Sequence, residues 1–96
     1  MNKLAVYIMA SKKFGTLSIG VTSNIVRRVF EHKNDIIPGF TSQYGCKTLV
    51  YYFFFETMSD AIFIEKKLKN GSRMRKVKLI EASNPEWKDL YQSEIW

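Results

Sequence analysis

The 96-residue sequence predicts a small α/β domain of two adjacent strands, a helix, a third strand and terminal helices. Three observations carry that prediction. Apolar residues alternate with period two near the start, they recur at helical spacing in later stretches, and Gly, Pro and Asn punctuate the points where one pattern replaces the other. The length is below that of a typical domain, so one core over residues 1–96 is expected rather than a multidomain enzyme. Hydrophobic residues at 46% and charged residues at 25% are a globular mixture, which excludes a wholly disordered or fibrous chain.

Leu4, Val6 and Ile8 alternate with Ala5, Tyr7 and Met9, the pattern of a strand packed on both faces or half buried. Ser11 to Thr16, with Lys12, Lys13 and Gly15, reads as the turn of a β-hairpin, and Leu17, Ile19 and Val21 alternate with Ser18, Gly20 and Thr22 in its second strand. Tyr7 and Ser18 share a face of this hairpin if the register allows it. Thr22 or Ser23 is the expected cap of a helix to about Lys33, with Ile25, Val26, Val29 and Phe30 as its apolar stripe. Arg28 and His32, four apart, fall on one face of that helix.

Asn34 to Lys47 carries Pro38, Gly39, Ser42, Gln43 and Gly45 and reads as a long loop, a feature that small domains often use for binding. Thr48 to Phe55, rich in Val, Tyr and Phe, is expected as a central strand. Thr57 and Asp60 form a capping box for a helix to about Lys69, with Ala61, Ile64 and Leu68 inward and Glu65 close to that seam. After Asn70 and Gly71, Ser72 caps a further helix that turns Met74, Val77 and Ile80 inward. Asn84 and Pro85 predict an N-cap and first position of a short terminal helix carrying Trp87, Leu90 and Tyr91.

Fifteen Lys and Arg against nine Asp and Glu leave a formal charge of +6, which favours an anionic partner, nucleic acid first. The strongest compositional signal lies between Glu65 and Glu81. Lys66, Lys67, Lys69, Arg73, Arg75, Lys76 and Lys78 occupy that stretch without an acidic residue, and cations so spaced can follow a phosphate backbone. The single cysteine, Cys46, excludes an internal disulfide and a cysteine metal site. The lack of a long apolar run or signal-peptide core gives the expectation of a cytoplasmic protein with no membrane partner.

Among the polar residues, Glu65 stands out because a carboxylate beside an apolar seam has to be hydrogen-bonded, paired or bound to a metal; Lys66 and Lys69 are the ordinary partners at hand. Tyr7 fits a sheet aromatic or a reactive phenol, Arg28 a surface charge or a phosphate clamp. His32, the only histidine, fits a helix C-terminus equally well.

Taken in order, these residues resemble the GIY-YIG endonuclease superfamily, specifically its small standalone bacterial members. Val6-Tyr7-Ile8 resembles the first motif and Ser18-Ile19-Gly20 the second. Val21-Thr22-Ser23-Asn24 follows, then Arg27-Arg28, with Arg28 at the spacing of the family's catalytic arginine and His32 one turn on. Gly39-Phe40-Thr41, Tyr44-Gly45 and Val50-Tyr51-Tyr52 match the loop and third strand of the small members. Glu65, within Ala61-Ile62-Phe63-Ile64-Glu65-Lys66, matches the metal-holding glutamate, and Asn84-Pro85-Glu86-Trp87 with Leu90-Tyr91 resembles the usual ending. Two departures stand out: Ser18 replaces the tyrosine that opens the second motif, and Gly71 replaces an aromatic before the following helix.

The resemblance implies a three-stranded antiparallel sheet flanked by helices and a metal-dependent endonuclease that hydrolyses DNA phosphodiesters, structure-selective or non-specific, in a setting such as DNA repair. Glu65 would hold Mg²⁺ or Mn²⁺, Arg28 would clamp the phosphate, and Tyr7 with Ser18 or His32 would position or deprotonate water. Tyr7 needs a nearby positive charge such as a metal or Arg28 to act as a base near neutrality, because a phenol ordinarily titrates near 10, and His32, which titrates near 6.5, is the reserve base. Lys66, Lys67, Lys69, Arg73, Arg75 and Lys76 are the expected nucleic-acid contacts. Ser18 sets up the alternative, a catalytically weak or inactive nucleic-acid-binding protein of nuclease fold. A third possibility is an interaction module using Phe53, Phe55, Phe63 or Trp96, and a homodimer is compatible with the sequence without being demanded by it.

Overall fold

The computed structural model describes residues 3–36 and 44–93, the last two by their backbone alone. The motif Gly39-Phe40-Thr41, with Pro38, Ser42, Gln43 and Trp96, lies outside the described residues. β1 (Ala5–Ala10) pairs antiparallel on one side with β2 (Leu17–Thr22) and on the other with β3 (Thr48–Phe54), in the order β2-β1-β3. α1 (Ile25–Lys33) follows β2, and α2 (Met58–Asn70), α3 (Arg73–Ser83) and the single turn α4 (Leu90–Ser93) follow β3. This is the small three-stranded α/β architecture expected from the sequence. No described helix is long and apolar enough to cross a membrane.

All six residues of β1 are buried, because both faces of the sheet are covered. On one face Ala5, Tyr7 and Met9 meet Ile25 and Val29 of α1, Cys46, Leu49 and Leu90. On the other, Ile8, Ala10 and Val50 meet Ile80 of α3 and Trp87, while Leu4 and Val6 meet Ala61 of α2. β1, not β3, is therefore the central strand. The aromatic richness of β3 suggests burial on both faces, but as an edge strand it leaves Phe53 and Phe54 exposed. Its register shifts opposite Ile8 and Met9, and this irregularity directs both Val50 and Tyr51 to the α3 side.

The helix boundaries follow local hydrogen bonds. Asn24, rather than Thr22 or Ser23, caps α1: its side chain accepts from the Arg27 N–H, while Thr22 Oγ1 accepts from the Asn24 N–H. Thr57 and Ser72 cap α2 and α3 as the spacing predicts, accepting from the Asp60 and Arg75 N–H groups. Two apolar expectations fail: Phe30 on α1 and Met74 on α3 are exposed, since each lies outside the arc that faces the sheet. Asn84 does not start a helix. It ends α3, donates from its side-chain amide to the carbonyls of Val50 and Lys88, and accepts from the Lys88 N–H. Residues 85–89 are thereby held as a turn, and α4 begins only at Leu90, where Asp89 accepts from the Tyr91 N–H.

Candidate functional site

Tyr7 is paired with Gly20 on β2 and Tyr52 on β3, and Met9 is paired with Ser18. Tyr7, Gly20 and Ser18 thus share the face covered by α1, as the hairpin alternation anticipates. With no side chain at Gly20, the Tyr7 phenol crosses the edge strand directly over it: a Cβ there would be 2.4 Å from the hydroxyl oxygen. The second-motif glycine is a spatial requirement of the first-motif tyrosine. α1 approaches from the same side, and its one-turn spacing brings both Arg28 and His32 to the phenol.

The Tyr7 hydroxyl shares a hydrogen bond of 2.9 Å with His32 Nε2, its direction set by the imidazole tautomer. The two rings are tilted with centroids 5.7 Å apart. Burial pushes the Tyr7 phenol above its ordinary value of 10.0; the Arg28 guanidinium acts in the opposite sense through its charge and a hydrogen bond, and the charges of Glu65 and Glu31 push it up again. Tyr7 is therefore protonated at neutral pH. Arg28 is beside it, as the sequence argument required, but desolvation outweighs the cation, which removes the expectation that Arg28 makes Tyr7 a base. His32 shifts the other way. Burial and then the Arg28 charge hold its imidazole below 6.5, against a smaller upward pull from Glu31, so it is neutral near pH 7.

Glu31 is the residue that the sequence reading missed. Its Oε1 is 3.3 Å from the buried Arg28 Nε, an ion-pair distance but too misaligned for a hydrogen bond, and its Oε2 is 4.0 Å from Arg27 Nε. The signal for it was present in the three-residue spacing from Arg28.

Glu65, on α2, acts on the same phenol through its charge. It is only 9% exposed, and its Oε2 accepts from Lys69 Nζ at 2.8 Å, the partner one turn on that the sequence offers. Lys69 also borders an open depression of about 280 Å³ lined by Leu17, Ser18, Ile19, Lys69 and Lys76. Lys76 Nζ donates to the Lys69 carbonyl at 3.4 Å, so the two cations are neighbours at the junction of α2 and α3. His32 and Arg28 thus meet the Tyr7 phenol directly, Glu65 acts on it through its charge, and Ser18 opens onto Lys69 and Lys76.

The basic run does not form one face. Arg73 donates through one guanidinium nitrogen to the carbonyls of Phe14 and Gly15, at 2.8 and 2.6 Å, and so clamps the β1–β2 turn. Lys67 lies over the exposed Phe63 ring, 5.5 Å from its centroid, while Lys66 and Arg75 are exposed on their helices. Only Lys69 and Lys76 of the six expected contacts adjoin the motif residues.

Among the described residues, no group of three or more His, Cys, Asp or Glu side chains could hold a metal ion. Glu65 offers a single carboxylate with one oxygen already bonded to Lys69. Such a donor fits Mg²⁺ only where water and phosphate oxygens supply the remaining ligands.

The family model for the GIY-YIG catalytic domain matches residues 3–78, which include every one of these residues. The chain belongs to the GIY-YIG family. Its relatives include UPF0213 proteins of Staphylococcus saprophyticus, 35% identical over 80 residues (83% of this chain, 96% of the relative), and of Clostridium perfringens, 32% identical over 90 residues (94% and 95%). The solution structure of a UPF0213 protein from Bacillus halodurans aligns over 100% of both chains with a TM-score of 0.57 and 25% identity. None of these names states an activity. GIY-YIG membership therefore establishes the nuclease-type scaffold of this chain.

Proposed function

We propose that this GIY-YIG chain is a nucleic-acid-binding protein of nuclease fold whose phosphodiester cleavage is weak, DNA being the first substrate to test. The observation that carries the reading is the depression at Ser18. Where the family pattern has a tyrosine, this chain has open space bordered by Lys69 and Lys76, and Lys69 engages Glu65. Cations that attract a phosphate backbone are present, whereas one hydroxyl-bearing ring is missing and the Glu65 carboxylate is paired with Lys69.

The remaining residues support a weak hydrolytic site. Arg28, one third exposed, offers charge and donors to a phosphate that reaches the edge of β2. His32, neutral near pH 7, is suited to accept a proton, and the protonated Tyr7 hydroxyl is suited to orient water or to relay that proton to Nε2. These assignments reverse the order expected from sequence. His32 is the base and Tyr7 positions.

A full metal-dependent endonuclease is the second reading, favoured by the Tyr7–His32 hydrogen bond with Arg28 and Glu65 around it. In that reading Glu65 would hold Mg²⁺ or Mn²⁺, which when bound supplies polarisation of the scissile phosphate.

The test of binding is the salt dependence of duplex DNA affinity, measured by fluorescence anisotropy. Replacing Lys69 or Lys76 with Ala should weaken binding and flatten the log–log salt slope by about 0.9 for each phosphate that is no longer neutralised. Unchanged slopes in both variants would remove this surface from the interface.

A further inference from the structure

α2 has two flanks. Glu65 and Lys69 serve the site at the β2 edge, while Asp60, Phe63, Ile64 and Lys67, at i, i+3, i+4 and i+7, form a separate stripe toward β3. We propose that this second flank is a self-association surface that takes a second copy of the chain. The proposal does not rest on nucleic-acid binding: none of its residues belongs to the Tyr7–Glu65 constellation, and Lys67, one of the expected nucleic-acid contacts, lies over the Phe63 ring instead.

Phe63 is 62% exposed, with the Lys67 ammonium over its ring. Ile64 lines an apolar depression of about 240 Å³ with Val6, Tyr51, Phe53 and Phe55. Phe53 is itself 56% exposed and packs edge-on against Phe55, with ring centroids 5.2 Å apart. β3 is an edge strand, and an edge bearing exposed Phe53 and Phe54 lacks the charged protection usual for such strands. The surface thus contains an aromatic projection beside an aromatic-lined hollow.

Charge selects the occupant. Asp60 precedes Phe63 by almost one turn and Lys67 follows it by slightly more than one. When two α2 helices meet antiparallel about a two-fold axis near Phe63, Asp60 of each copy faces the partner subunit's Lys67, and each Phe63 ring is brought toward the partner's hollow. An interface of this kind is isologous and closes at two copies. A polyanion would meet Asp60, with Glu56 just before the helix, and gain from only one end of the stripe. A second copy satisfies both ends at once.

The experiment is analytical ultracentrifugation of the full chain over a wide concentration range, with circular dichroism verifying the fold of each variant. The wild type should show a reversible monomer–dimer equilibrium, and Phe63→Ser should weaken it by about tenfold or more. Asp60→Lys and Lys67→Asp should each weaken dimerisation, and the double reversal should restore it. A monomer at every concentration, a dimer insensitive to Phe63→Ser, or a double reversal without recovery would overturn the proposal. So would a Phe63→Ser variant that sediments like wild type but binds a single-stranded oligonucleotide less tightly, a result that would give the patch to base stacking. Duplex binding by Lys69→Ala is read separately, so failure here is distinguishable from failure of the nucleic-acid reading.

Discussion

The Tyr7 hydroxyl lies where a side chain on Gly20 would begin, 2.4 Å from the position of a Cβ. The two motif residues form one spatial unit: the glycine leaves the gap in which the central strand's phenol lies as it meets His32 of α1. Gly20→Ala should displace that phenol and cost about 1–3 kcal/mol, as overpacking does in a well-filled core. Urea denaturation measures the loss. Tyr7→Phe in the same background should recover part of it by removing the crowded oxygen.

His32 gives the fold a pH dependence of definite sign. Its folded-state value is below 6.5, so the unfolded chain binds the proton more readily and stability rises with pH across the window just under 6.5. That contribution is fully present above the window and is lost as pH falls through the folded value. Subtracting the stability-versus-pH curve of His32→Gln from that of the wild type should leave this slope. A flat difference would mean that His32 titrates alike in both states.

Arg73 separates structural from functional basicity. Its two bonds secure the turn carbonyls of Phe14 and Gly15, and Phe14 has a left-handed backbone, φ 58°, with its ring 5.2 Å from that of Trp87. Arg73→Ala should reduce stability by about 1 kcal/mol. It should weaken DNA binding less than Lys69→Ala does, when the two are measured at the same salt concentration.

Glu65→Gln removes the charge that holds Lys69. An i,i+4 pair of this kind contributes about 0.3–0.5 kcal/mol, so the fold should tolerate the change. Freed of its partner, Lys69 should keep or strengthen DNA affinity in anisotropy measurements, while any metal-stimulated nicking should fall to background. Loss of binding would place Glu65 in the nucleic-acid interface itself.

The architecture was legible because its signals are local. Alternation located β1 and β2, Thr57 and Ser72 located two helix starts, and the spacings of Arg28, His32 and Glu65 placed them on faces that meet around Tyr7. Strand order was not legible, since Val, Tyr and Phe in β3 report strand propensity and not position in the sheet. Asn84 misled because one Asn can end a helix or begin one, and the choice depends on the Val50 carbonyl, a partner 34 positions away. The charges of the basic run were visible, but their division among a turn clamp, an aromatic contact and the Ser18 depression depends on tertiary packing. Desolvation was likewise invisible, and it decides that Tyr7 stays protonated while His32 stays neutral.

Ser18 is the residue on which the functional account turns, and Ser18→Tyr tests it most directly. Wild type, Ser18→Tyr and the Ser18→Tyr/Glu65→Gln double variant are compared for DNA binding and for nicking of supercoiled plasmid with Mg²⁺, Mn²⁺ or EDTA. The account predicts salt-sensitive binding by all three, slow nicking by the wild type, and an increase in Ser18→Tyr of about tenfold or more that the second substitution abolishes. Absence of binding at low salt, or wild-type cleavage as fast as that of Ser18→Tyr, would contradict it.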